Sequence, residues 1–487
     1  MKHYESLAGG SGRSVYYRAR RLRAAEVFSS ELAVARLDGR PVQIENLSMS
    51  GIALIDGDAN ADWSERAGDS VPVEITLGGE TAFSSPGLIC RVEEAARGQL
   101  VGIRFVDDFL DMAALIRRHE QLLLKFDLDR PADVELEAVP GAYRTLCADV
   151  IHLLRRQKAL LARFRVRANG HAPIPPEDME DAYRACEAGL LRDWKTLWQR
   201  GEDIVGAFAH DSVQVRAIKR FTEQVLTPEF MDGPIWQRSF EKPLGYPGDF
   251  KIMRMVYAWA REGKDPYGQL LHRLGLEVAE CIATRMVLVQ QSIAETIRRR
   301  AKAGEVARIA SLGCGPAKEV QNILQASRLD GAAAFTLIDQ EEEALAHAYE
   351  EAMPNLARLG GQASVNCLHL SFRQLLSGRA VAEALGPQDM IYAVGLVDYF
   401  RERQAQRLIA GLYGHVEPGG LLMIGNMADS ALSNYWPMEF IADWNVIYRS
   451  REEMQRLAAD CAGAEVTVRP DRTGRVWMLQ LRRPDAA

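Results

Sequence analysis

Within SLGCGPAKEV (311–320), Gly313 and Gly315 stand where an apolar run gives way to a helical pattern. Two glycines so spaced permit a tight turn and close backbone approach, and the helix that follows offers free N–H groups and the positive end of its dipole to an anion. Cys314 lies between them, and Asp339 ends the next apolar run with Gln340 beside it. An acid at that point can accept hydrogen bonds from both hydroxyls of a ribose. The set Gly313, Cys314, Gly315, Asp339 and Gln340 is therefore read as a nucleoside-cofactor site. A dinucleotide normally meets a third glycine at such a corner. Here Pro316 and Ala317 enter the helix instead, which weighs against a nicotinamide enzyme.

Two later segments carry candidate groups for a second reactant. In VGLVDYF (394–400), Gly395 lets the chain pass close to a cofactor, and Asp398 and Tyr399 are placed to face its partner. In NMADSALSNYWPMEFIADWNVIYR (426–449), the residues Asn426, Tyr435, Trp436, Glu439, Asp443, Trp444, Tyr448 and Arg449 crowd a stretch that is helical by spacing. Glu439 and Asp443 are predicted to share a helix face at i, i+4. Any one aromatic here is as well explained by a core and any one acid by a solvated face; the cluster reads as a mouth. A third segment, EKPLGYPGDFKIMRMVY (241–257), sets Tyr246 and Asp249 into a rigid turn made by Gly245, Pro247 and Gly248.

The elements that must position these residues follow from periodicity. Runs at 306–312, 334–339, 364–370, 389–395 and 420–426 are short, nearly continuously apolar and separated by helical segments, the signature of parallel strands covered on both faces. Runs at 464–468 and 476–481 flank DRTG and suit an antiparallel edge pair. Ligands of open α/β sheets bind beyond the carboxyl ends of the strands, which brings the glycine corner and the first two later segments to one edge. The expectation is a doubly wound, Rossmann-like α/β domain over 301–487, preceded by an α-helical linker and cap region over 126–300. In the latter, Leu146, Val150, Leu153, Leu154 and Leu161 fall roughly on one face, and NGHAPIPPEDMED (169–181) breaks one helix and starts the next. Residues 26–107 alternate apolar and polar positions between DG, GG and PG turns, which predicts a small antiparallel β-barrel within a domain of 1–125.

Composition sets outer bounds. With 487 residues, 47% of them hydrophobic, the chain can bury two or three cores, and a net charge of -7 argues against duplex nucleic acid as the main partner. Seven cysteines without CxxC pairs or Cys/His ligand spacing predict free thiols and no structural metal. No apolar leader and no run of about 18 uncharged apolar residues is present, so the expected location is cytoplasmic. The helical middle is also a candidate homodimer surface.

The Gly-rich first corner, Asp339, Asp389 opening the fourth strand and EPGGLLMIGN (417–426) leading into the fifth together resemble the class I S-adenosylmethionine (SAM) dependent methyltransferases over roughly 300–487. The resemblance implies that Gly313, Gly315 and Asp339 touch SAM, and that His369, Leu370 and Ser371 flank its adenine. Members often carry an acid near that last position, and this chain has none at 369–371. The order LGYPGDF, a helix with Thr284 and Arg285, SLGCGPAKEV, LIDQ, DMIYAVGLVDYF, PGGLLMIGN and MEFIADWNVIYR is similar to methyltransferases that make 3-hydroxypalmitic acid methyl ester, over about 240–450. That implies a fatty-acid carboxylate as acceptor, with Tyr246, Tyr399, Glu439 and Tyr448 orienting it. For an amine or hydroxyl acceptor, Glu439 or Asp443 becomes the candidate base. NLSMSG (46–51), with IALI and LVGIRFV, resembles the Asn/Asp-x-Ser-x-x-Gly motif of PilZ barrels, which implies cyclic di-GMP as an effector held by Asn46, Ser48 and Gly51. Such barrels carry RxxxR upstream; here Arg18, Arg20, Arg21 and Arg23 supply a basic arm without that spacing. The expected activity is methyl transfer to a small-molecule or lipid acceptor under control of the N-terminal module. A cyclic di-GMP-responsive scaffold with an inactive Rossmann part and a protein methyltransferase are the alternatives.

Overall fold

A computed structural model describes residues 22–24, 28, 33–58, 62–95, 98–106, 109–129, 138–169, 175–370 and 385–485. Arg18, Arg20, Arg21 and Ser371 lie outside the described residues, as does the side chain of Arg23. The chain divides into two units, Met1–Asp133 and Val134–Ala487.

In the first unit the strands are β1 (Leu22–Arg23), β2 (Ala33–Leu37), β3 (Arg40–Ser48), β4 (Gly51–Asp56), β5 (Ser70–Leu77), β6 (Glu80–Ala95) and β7 (Gly98–Phe105). Strands β2 to β7 pair antiparallel in the ring β3-β2-β5-β6-β7-β4, closed by β3 on β4, and β1 adds to β3. Alternation drives this closure: Val71, Val73, Ile75 and Leu77 of β5 all point inward against Leu37, Leu54 and Val101. The DG and GG pairs make the hairpins, because Asp38, Gly39, Gly78 and Gly79 all take positive φ. Helix α1 (Met112–Asp129) adds Leu115 to this core.

The second unit holds β8 (Ala307–Leu312), β9 (Ala333–Asp339), β10 (Ala363–His369), β11 (Gln388–Ala393), β12 (Val416–Met427), β13 (Glu465–Pro470) and β14 (Val476–Arg482). Their order is β10-β9-β8-β11-β12-β14-β13, parallel from β10 to β12, with β14 antiparallel to β12 and β13 antiparallel to β14. The order reverses direction between β8 and β11, so a crevice opens at their carboxyl ends.

Helices α2 (Gly141–Asn169), α3 (Pro176–Phe208), α4 (Ser212–Val225), α5 (Pro234–Glu241), α6 (Phe250–Ala258), α7 (Pro266–Val278) and α8 (Glu280–Lys302) precede the sheet. They share one apolar core with it, running from Trp194, Phe230 and Trp236 through Trp436 to Phe335 and Tyr392. The helical residues from 138 onward and the α/β part are thus one unit, without a seam at 300. Helices α9 (Lys318–Leu324), α10 (Glu342–Leu359), α11 (Glu402–Gly414) and α12 (Arg451–Arg456) complete the described α/β part. Among the described residues, no helix is long and apolar enough to cross a membrane.

One buried charge pair fixes α8 on the sheet. Asp389, at the start of β11 and without exposed surface, meets the Arg300 guanidinium at 3.0 Å and accepts the Arg308 N–H at 2.8 Å. This end of the sheet lies opposite the crevice, so Asp389 is structural. Arg285, fifteen residues back along α8, stands about 22 Å away at the helical rise, roughly the length of a six-residue strand. Anchoring Arg300 at the strand starts thereby delivers Arg285 to the strand ends.

A buried histidine makes this unit sensitive to acid. His272 on α7 has no exposed surface, neither ring nitrogen has a partner among the described residues, and burial lowers its pKa to about 4. The folded state holds the neutral ring, while the unfolded chain binds a proton near about pH 6.5. Its contribution is fully present above that pH and is lost as pH falls toward 4. Between pH 7.5 and pH 5, urea unfolding should show the stability of His272→Leu shifting by about 2 kcal/mol in the variant's favour relative to wild type. A difference that stays constant with pH would mean that water reaches the ring.

Candidate functional site

The crevice is built from the ends of four strands. After β8 the chain turns through Gly313 (φ 64°) and Gly315 (φ 51°) into Ala317 (φ 49°). The Gly313 and Cys314 N–H groups both donate to the Ile338 carbonyl, at 2.9 and 3.1 Å, clasping the loop to the end of β9. The Asp339 carboxylate then accepts the Gly315 N–H at 2.8 Å on one oxygen and the Glu341 N–H at 3.0 Å on the other. Each oxygen keeps a lone pair for a hydroxyl donor. Burial raises the Asp339 pKa against the pull of these N–H groups. On the neighbouring strand end, the Leu370 N–H donates to the Asp339 carbonyl at 3.1 Å, and His369 Nε2 lies 2.8 Å from the Gln340 carbonyl oxygen. Cys314, Gln340, His369 and Leu370 are therefore grouped around Asp339.

Helix α6 roofs this loop: a Cβ placed on Gly315 would sit 3.9 Å from both Met253 Cγ and Phe250 Cβ. Asp249 caps α6 by accepting the Lys251 and Ile252 N–H groups and is held by Arg238 at 2.5 Å. Tyr246, half-buried in the same turn, has its hydroxyl pKa raised by burial and then by the nearby Asp339 and Glu341 carboxylates.

Two charges that spacing did not single out as ligands lie at the crevice. Arg285 is 6% exposed, its Nε has no partner, and among the described residues it makes no hydrogen bond or ion pair. A Cβ on Gly395 would stand 2.8 Å from its Nη2, so the guanidinium lies directly over that glycine. Glu319, also 6% exposed, accepts the Tyr392 hydroxyl at 2.7 Å; burial raises its pKa, and its own N–H, Tyr392 and Arg285 lower it. The sequence did hold a signal for Arg285: it falls on the buried stripe Cys281, Arg285, Val289 of α8, where a charge is out of place. The expected role for the dipole of the following helix is corrected. Helix α9 has seven residues and carries the buried acid Glu319 in its first turn, which repels an anion there.

On the acceptor side, the turn before α6, the loop after β11 and the segment after β12 meet at one point. Trp444 Nε1 donates to the Tyr399 hydroxyl at 2.9 Å, and a Cβ on Gly248 would collide with Trp444 Cζ2 at 2.5 Å. Tyr448 stacks edge-on against Tyr435 at 5.5 Å, its hydroxyl 3.9 Å from Met438 Sδ. Burial pushes the pKa of Tyr399 and Tyr448 upward, so both remain neutral donors. Asp398, Asn426 and Arg449 form the frame instead: Asp398 accepts the Met427 N–H at 2.7 Å, and Arg449 donates to Asn426 and to the carbonyls of Val397 and Phe400.

The helical stretch expected within 426–449 is corrected to a single π-turn, Trp436–Ile441, closed by Ala442 N–H to the Pro437 carbonyl. Asp443 lies beyond it at φ 48°, so it shares no helical face with Glu439. Each acid has its own lysine, Glu439 with Lys219 at 2.5 Å and Asp443 with Lys242. Sequence reading missed Glu202 of α3. Its Oε1 accepts Trp198 Nε1 at 2.9 Å and the Trp436 N–H at 3.0 Å, and burial raises its pKa to about 7. Among the described residues no cluster of His, Cys, Asp and Glu is arranged to hold a metal ion.

In the barrel, Asn46, Ser48 and Gly51 organise the β3–β4 hairpin. Ser48 Oγ donates to the Gly51 carbonyl at 3.2 Å, and a Cβ on Gly51 would lie 2.4 Å from the Ile103 carbonyl oxygen. Arg23 of β1 stands opposite Asn46 in register.

No family model and no curated protein matches the chain. Among solved structures it is similar to a possible exported protein from Bordetella parapertussis, at 15% identity over 71% of this chain and 99% of that one, with a TM-score of 0.38. It is similar to magnesium protoporphyrin IX methyltransferase from Synechocystis with SAH bound, at 14% identity, 48% and 93% coverage and a TM-score of 0.33. An O-methyltransferase family protein from Burkholderia thailandensis matches at 20% identity, 54% and 72% coverage and a TM-score of 0.30.

The π-turn is wedged by Trp436 against α3, where a Cβ on Gly201 would fall 2.3 Å from the indole. Gly201→Ala should therefore cost about 1–3 kcal/mol in urea unfolding. Gly206→Ala, one turn further along with nothing within 4 Å, should gain about 0.5–1 kcal/mol. Equal effects at both sites would remove the wedge from the account.

Proposed function

We propose that the chain is a SAM-dependent methyltransferase acting on a small-molecule or fatty-acid-type acceptor, with carboxyl O-methylation as its reaction. The observation that carries this reading is the convergence of the Gly313–Gly315 loop, the Asp339 carboxylate and the unpaired Arg285 guanidinium at the point where the strand order reverses. The buried Nε of Arg285 lacks a hydrogen-bond partner, which a ligand anion would supply. The carboxylate of SAM suits that cation, the free lone pairs of Asp339 suit its ribose hydroxyls, and His369 and Leu370 stand where its adenine would lie.

When bound, that cofactor supplies a methyl group on a sulfonium whose departing sulfur takes the bonding electrons. The chain's own task is then to align a nucleophile and exclude water. Tyr246, Tyr399 and Tyr448 are neutral donors suited to orienting a carboxylate. Glu439 and Asp443 are each engaged by a lysine, so neither is a free base. This favours an acceptor that arrives already deprotonated, and a fatty-acid carboxylate meets that condition.

A second, regulatory reading rests on the barrel. Arg23 opposite Asn46 puts a residue of the basic arm beside the NLSMSG hairpin, which supports cyclic di-GMP as an effector. An effector alters activity only if it binds two conformations unequally.

Three measurements test these readings. Titration calorimetry of the full chain should show saturable SAM binding, weakened at least about tenfold by Asp339→Ala through lost ribose hydrogen bonds; folded wild-type protein that gives no heat would overturn the assignment. Mass spectrometry with SAM and a panel of hydroxy and plain fatty acids should show one methyl gained per carboxylate, and methylation confined to amines or proteins would displace the lipid acceptor. Cyclic di-GMP should bind wild type and lose affinity in Asn46→Ala; absence of binding in both would leave the barrel a docking module.

A further inference from the structure

Arg285, a cation, and Glu319, an acid whose pKa burial raises, are both more than nine-tenths buried and lie close enough for the guanidinium to pull that pKa back down, yet they form no ion pair. In a low-dielectric interior such charges attract strongly, and an arrangement that keeps them apart forgoes that attraction. The surroundings hold them apart. Glu319 is tied to β11 by the Tyr392 hydroxyl, while Arg285 is carried on α8 and laid over Gly395. Tyr257 of α6 senses both, its hydroxyl raised by burial and by Glu319 and lowered by Arg285. A second carboxylate near Arg285, that of Asp398, is occupied by the Met427 N–H.

An anion alone would pair with Arg285 and leave Glu319 without a cationic partner. A group with a negative and a positive end, a few ångströms apart, satisfies both. On the SAM reading above, on which this step rests, we propose that Arg285 and Glu319 form a zwitterion clamp for the amino-acid tail of the cofactor, Arg285 taking the carboxylate and Glu319 the ammonium. Glu319 is then a specificity-determining residue: ligands that lack either charge leave one of the two buried groups unpaired and bind more weakly than those that carry both.

The test compares three probes in calorimetry on the full chain: S-adenosylhomocysteine, which carries the whole tail; decarboxylated SAM, which keeps only the ammonium; and 5′-methylthioadenosine, which lacks the tail. Glu319→Gln keeps the shape and an acceptor for Tyr392. It should weaken S-adenosylhomocysteine at least about tenfold, one charge-assisted contact, and leave 5′-methylthioadenosine unchanged. Arg285→Met should weaken S-adenosylhomocysteine similarly and change decarboxylated SAM little. Unaltered methylthioadenosine affinity also shows that each variant is folded at the site. If Glu319→Gln binds S-adenosylhomocysteine as wild type does, or loses affinity for all three probes alike, the clamp is wrong while the SAM reading stands. If wild type binds none of the three, the SAM reading fails and the clamp with it.

Discussion

The carboxylate of Asp339 is the constraint on which the carboxyl edge of the sheet depends. One of its oxygens receives the Gly315 N–H and the other the Glu341 N–H, so a single side chain sets both the loop after β8 and the turn after β9. Its own carbonyl takes the Leu370 N–H, which adds β10 to the same assembly. A residue doing this must be acidic, buried and at the last position of its strand. Each oxygen keeps a lone pair beyond these bonds, so the group that holds the fold here is also the one the proposed cofactor reading draws on.

A second anchor, the Arg300–Asp389 pair, works from the far end of the sheet. It fixes α8 lengthwise, and helical geometry then carries Arg285 to the crevice with little freedom of its own. The acceptor side is held differently. There the indole of Trp436, wedged on Gly201 and hydrogen-bonded to the Tyr143 hydroxyl at 3.0 Å, ties the π-turn to the helical part of the unit. The helices before the sheet and the α/β part are therefore halves of one core.

The parallel strands, the antiparallel pair around DRTG and the barrel hairpins were legible in the sequence because each is a local pattern: continuous apolar runs, period-two alternation, and turn residues at positive φ. The grouping of Gly313, Gly315, Asp339 and His369 was legible for a related reason, since strand ends in this topology have fixed places. Arg285 was legible only as a charge on the buried stripe of its helix, and Glu202 not at all, because its contact with the Trp436 N–H joins positions 234 residues apart. The π-turn escaped as well. Spacing at 436–443 fits an α-helix, and only the docking of Trp436 on α3 and the separate lysine partners of Glu439 and Asp443 unwind that register.

The two halves of the crevice differ in how far apart in sequence their parts lie. Gly315 and Asp339 are 24 residues apart, whereas Lys219 and Glu439 are 220 apart. Closing the longer loop costs roughly 2 kcal/mol more chain entropy. The loop after β8 and its Asp339 clasp thus make a nearly local structure, whereas the Lys219–Glu439 contact closes the longer loop. On the proposed reading, the residues that would hold the cofactor are joined by short loops and those that would face the acceptor by long ones.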